Sequence, residues 1–132
     1  MELFILRLFI FAGAVFTVFP VLAGTGADAE IFDPPTNIRT SDGKVLCRVT
    51  KVKTIFILAR ASKGKKFTGW YLTDACSPGE KPGTVWGMVH KSQIRIKSKR
   101  SDLFPVDPKK FIQCAENPSN VPESCAAENQ AK

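Results

Sequence analysis

The apolar N-terminus constrains this chain most, because it decides how much of the sequence is left to fold. From Leu3 to Val21 almost every residue is apolar, and Arg7 is the only charged one. This run is short for a membrane span, which needs about 20 apolar residues. It is followed by Val21-Leu22-Ala23, where small residues suit cleavage by a signal peptidase, so it predicts a cleavable signal peptide. Cleavage after Ala23 leaves 132 − 23 = 109 residues, enough for one domain.

Two alternatives stay open at this end. A second small-residue site, Ala27-Asp28-Ala29, would allow cleavage after Ala29, and an uncleaved chain would remain anchored in a membrane. The favoured interpretation has no membrane span after cleavage and places the protein in the periplasm or outside the cell. It divides the chain into a signal peptide (1–23), a short leader (24–32), a folded domain (33–97) and a basic, then Pro-rich tail (98–132).

Cysteine content fits export. An even number of cysteines behind a signal peptide predicts two disulfides in an oxidising compartment. The four residues are Cys47, Cys76, Cys114 and Cys125. They allow three pairings, among which the sequence alone does not choose; we favour Cys47–Cys76, both expected to face inward, with Cys114–Cys125 closing a small loop in the tail. The first bridge should contribute about 3 kcal/mol by constraining the unfolded chain, and the second much less.

The pattern after the signal peptide predicts an all-β fold. Short segments rich in β-branched and aromatic residues are separated by turns rich in Gly, Pro, Ser and Asp, and no useful stretch has helical periodicity. Five to six short strands in about 65 residues suggest a small closed or half-closed barrel. The expected strands lie at 36–39, 44–50, 54–58, 69–73, 85–89 and 92–96, with an exposed hairpin loop at 61–66.

Several motifs in this region occur in an order that resembles a known family. They are Asn37-Ile38-Arg39, the turn at Asp42-Gly43, Gly69-Trp70-Tyr71, and the closing run from Gly87 through His90 to Ile94. Together they resemble the bacterial SH3-like (SH3b) domain, and the cysteines after Leu46 and Ala75 resemble an exported subgroup of it. The sequence departs from the family where Trp86 precedes Gly87 and where the 77–84 turn is long.

The resemblance implies a small SH3-like barrel that binds a ligand and has no catalytic activity of its own. Many members of the family are modules of cell-wall proteins, so a cell-envelope polymer such as peptidoglycan is the expected partner. In this family the histidine of the closing motif, here His90, ends a strand and braces a turn.

The charge distribution favours an anionic ligand. From Arg39 to Lys110 the chain has 17 Lys and Arg and five acids, 17 − 5 = +12, whereas the leader and the tail are acidic. Such a field attracts anionic polymers, although a solvated basic face is the simpler interpretation. Export makes nucleic acid an unlikely natural target. The expected ligand-binding residues are Trp70, Tyr71 and Trp86, lining one groove, with Lys65, Lys66 and Lys91 around it.

Nothing in the sequence predicts catalysis, a metal site or a cofactor. There is one histidine and no C-x-x-C pair, so a zinc site is not expected. Asp74 and Glu80 are the only neighbouring acids in the middle of the domain, and Asp74 is more simply a turn residue. The alternative function is a protein-interaction domain that binds or inhibits an exported partner.

Overall fold

The computed structural model describes residues 25–99 and 103–131, so the predicted signal peptide lies outside the described residues. A 3₁₀ turn (Lys91–Gln93) joins the sixth strand to the seventh, and two helices, α1 (Pro108–Ala115) and α2 (Pro122–Glu128), follow the last strand. Within the described residues the strands are β1 (Ala27–Ile31), β2 (Thr36–Arg39), β3 (Val45–Val49), β4 (Lys53–Lys63), β5 (Lys66–Thr73), β6 (Gly87–His90), β7 (Ile94–Lys99) and β8 (Phe104–Val106).

All of these strands belong to one sheet, which is mostly antiparallel. Its order is β3-β2-β6-β5-β4-β1-β7, and β8 pairs in parallel with Ala59–Ala61 of β4. The end strands β3 and β7 do not pair with each other in the part of the chain that the structure describes, so the barrel is not closed. β2 and the 3₁₀ turn before β7 nevertheless approach each other, since Thr36 Oγ1 donates to Gln93 Oε1 over 3.0 Å. The all-β prediction is confirmed at this coarser level.

The concave side of the sheet encloses an inner core. It is built from residues of β1, β2, β3, β4, β6 and β7 together with Leu103, and neighbouring residues in a strand point to opposite faces of the sheet. Its fully buried members include Ile31, Ile38, Ile57 and Val89, with Ile94 at the start of β7. This core therefore draws together strands from both ends of the chain.

The convex side carries a second, outer core, covered by residues 103–131, which we call the C-terminal arm. Leu58, Leu72 and Trp86 face outward from the sheet and pack against Phe111 of α1 and Cys125 of α2. Asp107 caps α1 by accepting hydrogen bonds from the backbone N–H groups of Lys109 and Lys110. The sheet is thus buried on both sides where β4, β5 and β6 run together.

Both disulfides form as predicted. Cys47 and Cys76 are bonded at 2.02 Å, and both pack against the inner core. Cys114 and Cys125 are bonded at 2.00 Å and link α1 to α2. Because Cys125 is completely buried in the outer core, the second bridge lies within the fold and does more than close a loop in a tail.

Two segments differ from the sequence-based expectations. The leader contains β1, whose alternating Ala and acidic residues conceal a strand because alanine has a weak strand preference. The Pro-rich tail contains β8 and both helices, although we expected no helix. Pro108 and Pro122 stand in the first turn of α1 and α2, where proline is favoured, so a Pro-rich tail is compatible with both helices.

Candidate functional site

The β4–β5 hairpin presents a group of unpaired cations. Lys63, Lys65 and Lys66 are exposed around its tip, where Gly64 supplies the positive φ of 61° that the tight turn needs. Arg60 is exposed further down β4. Among the described residues the only ion pair joins Lys97 to Glu30, at 3.6 Å, so the hairpin cations have no acidic partner there.

An aromatic pair lies beside these cations. The rings of Phe67 and Tyr71 are 5.1 Å apart between centroids, both are half-buried, and Tyr71 pairs with Arg60 across the β4–β5 ladder. A bulge separates the two aromatic residues along β5, and Gly69 within it has a φ of 93°. The sequence prediction missed Phe67. A glycine inside a strand pattern is the signal that could have revealed the bulge.

The three aromatic residues predicted to line one groove are not brought together. Trp86 is only 2% exposed; its indole Nε1 donates to Gly83 O over 2.9 Å, and its ring meets Phe111 edge-on at 5.2 Å. Trp70 is half-buried on the same convex side, whereas Tyr71 packs against the inner core. Neighbours in a strand point to opposite faces, so Trp70 and Tyr71 cannot share a groove. The C-terminal arm covers Trp86.

His90 and Lys91 lie where β6 ends. His90 Nδ1 accepts the backbone N–H of Ser92 over 3.2 Å and is 2.8 Å from Ser92 Oγ, so the ring braces the 3₁₀ turn as expected. Trp70 stacks edge-on against the imidazole with ring centroids 5.0 Å apart. Lys91 is exposed on this turn, close to Gly69 of the bulge. Lys91 therefore belongs to the surface around Trp70 and not to the hairpin tip that carries Lys65 and Lys66.

A groove of about 640 Å³ runs between the β4–β5 hairpin and the C-terminal arm. Lys63 and Thr68 stand on its hairpin side, and Lys110, Glu128 and Asn129 stand on its arm side. Its lining mixes two lysines, the two carboxylates of Asp107 and Glu128, amides and hydroxyls, a composition suited to a polar chain molecule. Neither Phe67 nor Tyr71 lines the groove, although Phe67 pairs with Ser62 of its wall. We take the groove, the hairpin cations and the neighbouring Phe67–Tyr71 pair as the candidate functional site and call it the hairpin site.

Asp74 is the described carboxyl group whose environment changes its protonation most clearly. Burial raises its pKa above the usual value of 3.8, while hydrogen bonds from backbone N–H groups and the positive charge of Lys53 oppose that shift. The carboxylate sits beside a small cavity of about 170 Å³ with Ser77 and Pro78 on its wall. Lys53 also lines this cavity, and no histidine or cysteine stands among its lining residues.

Two kinds of feature are absent from residues 25–99 and 103–131. No group of three or more His, Cys, Asp or Glu side chains in these ranges is arranged to hold a metal ion. No helix in them is long and apolar enough to cross a membrane. Comparison with known proteins gave no match to this chain, whether among family models, curated proteins or solved structures.

Proposed function

We propose that this protein is an exported, non-enzymatic SH3-like binding module that recognises an anionic polymer of the cell envelope, such as peptidoglycan, through the hairpin site. The observation that carries the proposal is the wall of the groove of about 640 Å³, one side of which is the cationic β4–β5 hairpin. Cations without acidic partners remain free to pair with a ligand's carboxylates or phosphates.

The fold supports the SH3-like part of this proposal. The strand order β7-β1-β4-β5-β6, with one 3₁₀ turn between β6 and β7, is the arrangement expected of a five-stranded SH3-like domain. In it β2 and β3 form the long hairpin that follows the first strand. The family resemblance based on the motifs at 37–39, 69–71 and 87–94 is consistent with this order.

Export rests on the predicted signal peptide and is supported by the two disulfides, which fit an oxidising compartment. The position of β1 favours one of the two cleavage sites. Cleavage after Ala29 would remove Ala27, Asp28 and Ala29, which pair with both β4 and β7, whereas cleavage after Ala23 leaves β1 whole. We therefore propose a mature chain that begins at Gly24.

Binding at the hairpin site should have two components. The lysines supply a long-range attraction that weakens as salt is added, because exposed charges are screened beyond about 8–10 Å at ordinary ionic strength. The Phe67–Tyr71 pair supplies a contact that resists salt, since covering an aromatic face stabilises a complex by roughly 1–3 kcal/mol. Charge alone would make any basic protein bind, so the aromatic component decides whether recognition is specific.

The test is retention on purified sacculi at low and at high salt. Lys63→Glu combined with Lys110→Glu should lower binding at low salt by about tenfold or more, because it reverses the two positive charges that line the groove. The matched control is Lys44→Glu combined with Lys81→Glu, which makes the same charge change at exposed positions that do not line the groove. Equal losses of binding in the two double variants would mean that net charge alone causes the effect, which would contradict the proposal.

A second pair of variants tests the aromatic component. Phe67→Ala should abolish the binding that survives high salt, while Tyr71→Phe, which keeps the ring, should retain it. Thermal melts of both variants establish that the fold is intact. Unchanged retention of Phe67→Ala at high salt would exclude the aromatic pair from the site.

A further inference from the structure

The edge of β3 forms a second surface, which is built from different residues and different strands than the hairpin site. β3 is the last strand of the sheet and pairs only with β2, so the backbone groups along its other edge have no strand partner within the described residues. Two of its side chains are apolar yet exposed, Val45 by 53% and Leu46 by 37%. An edge strand with exposed apolar residues is a template for pairing with another extended chain.

Cations surround this edge. Lys44 and Arg48 flank it, and Lys51 and Lys53 follow in the turn into β4; all four are exposed. Arg48 Nε donates to Asn37 Oδ1 of the neighbouring strand β2 over 3.1 Å, which fixes the position of the guanidinium group. Pairing with the same edge of a second copy would bring two sets of these cations together, and like charges directly opposite each other destabilise a strand pair. The charge therefore disfavours self-association and favours an acidic partner.

A shallow concavity marks where a side chain of that partner would fit. It measures about 260 Å³ and is lined by the consecutive residues 47–51, of which 47–49 belong to β3, together with Lys53 and Ala75. Side chains alternate along a strand, so three consecutive residues line one concavity only where the backbone edge itself forms the wall. An acidic side chain entering here would meet three cations while its own backbone lies along β3.

The length of the edge limits the partner. A bulge between β2 and β3 at Leu46 interrupts the regular ladder, and the chain turns away after Val49. The side chain of Leu46 rests over Gly87 of β6, where it is 3.0 Å from the position a Cβ atom would occupy. The regular part of the edge thus accommodates a short extended segment.

We infer that the β3 edge binds a short, extended, acidic peptide segment of a partner protein by adding it to the sheet as a further strand. This surface is independent of the hairpin site, because it shares no residue with it. The peptide backbone pairs with residues 47–49, an acidic side chain occupies the concavity beside Arg48, and an apolar side chain of the peptide covers Val45.

The experiment measures binding of a fluorescein-labelled peptide of alternating valine and glutamate to the protein with both disulfides formed. Two control peptides separate charge from backbone pairing: one has lysine in place of glutamate, and the other has the same side chains but N-methyl groups at alternate residues. We expect saturable binding of the acidic peptide, with NMR amide shifts centred on residues 46–49. The N-methylated peptide should bind about tenfold more weakly or worse, and the lysine peptide should not bind.

Two charge reversals complete the test. Arg48→Glu should weaken peptide binding by about tenfold or more. Lys65→Glu changes net charge equally and should leave it unaltered. Equal binding of the N-methylated and unmodified peptides would overturn the inference, as would equal losses in the two variants. Because Lys65 belongs to the hairpin site, failure of sacculus binding alone would leave the β3 edge supported, and failure of peptide binding alone would leave the hairpin site supported.

Discussion

Phe111→Ala tests whether the C-terminal arm is an integral part of the fold. Phe111 is completely buried, and its ring meets Trp86 edge-on at 5.2 Å beneath α1. Its removal takes away the transfer free energy of a large side chain and an aromatic contact worth roughly 0.5–1.5 kcal/mol, and it leaves a cavity. We expect the free energy of unfolding to fall by about 3–5 kcal/mol, a large part of the roughly 5–15 kcal/mol available to a domain of this kind.

Guanidinium denaturation followed by tryptophan fluorescence measures this loss directly. Both tryptophans of the chain, Trp70 and Trp86, contact the outer core, so their emission reports on the contact between the arm and the sheet. In Phe111→Ala the emission of the folded protein should shift to longer wavelength as Trp86 becomes wetter. Gln113→Ala is the control, because Gln113 lies in the same helix and is exposed.

The contradicting result is a small loss. A decrease below about 1 kcal/mol in Phe111→Ala, similar to that of a surface substitution, would mean that the arm lies on the sheet without stabilising it. A separate early transition in the wild type, with an unchanged main transition in the variant, would lead to the same conclusion.

Two other predictions concern the disulfides and Asp74. Replacing Cys47 and Cys76 by alanine should lower the free energy of unfolding by about 3–4 kcal/mol, and replacing Cys114 and Cys125 should lower it by about 3 kcal/mol, because the separations of 29 and 11 residues give similar loop entropies. Denaturant melts of the two double variants measure both losses. A negligible loss in the second variant would contradict the integration of that bridge into the fold. Asp74 has a pKa that is raised in the folded state, so its contribution to stability is fully present below the usual value of 3.8 and is lost as pH rises through the raised pKa. Asp74→Asn should therefore remove this pH-dependent loss from a series of melts between acidic and neutral pH, and an unchanged slope would refute the assignment.

Much of the inner part of the fold could be predicted from the sequence, because several of its strands have a recognisable local pattern. β2, β3 and β5 follow alternating or β-branched patterns, and each begins or ends next to a turn that contains Gly or Asp, so their existence and approximate bounds could be predicted. The pairing of Cys47 with Cys76 was favoured for a similar reason, since both lie next to strands and were expected to face one core.

The outer half of the fold was not predictable in the same way. β1 and β8 are short, contain alanine or proline, and are stabilised by partners distant in sequence. The two helices are 8 and 7 residues long, which is too short for periodicity to identify them. Trp86 was assigned to a binding groove because nothing in its neighbourhood reveals that Phe111, 25 positions later, covers it. Because Trp86 is covered, the candidate site lies at the β4–β5 hairpin and not in the groove that the sequence predicted.

The central position of β1 controls the order in which the chain can fold. β1 contains the earliest described strand residues, yet it pairs with residues 53–57 on one side and 94–99 on the other. When the chain is synthesised from its amino end, β1 therefore lacks its β7 partner until residues 94–99 have been made. Trp86 likewise stays uncovered until Cys125 has been made. Such long-range pairing makes folding slow. This delay fits the export proposed above, because a chain that crosses a membrane unfolded must not fold beforehand.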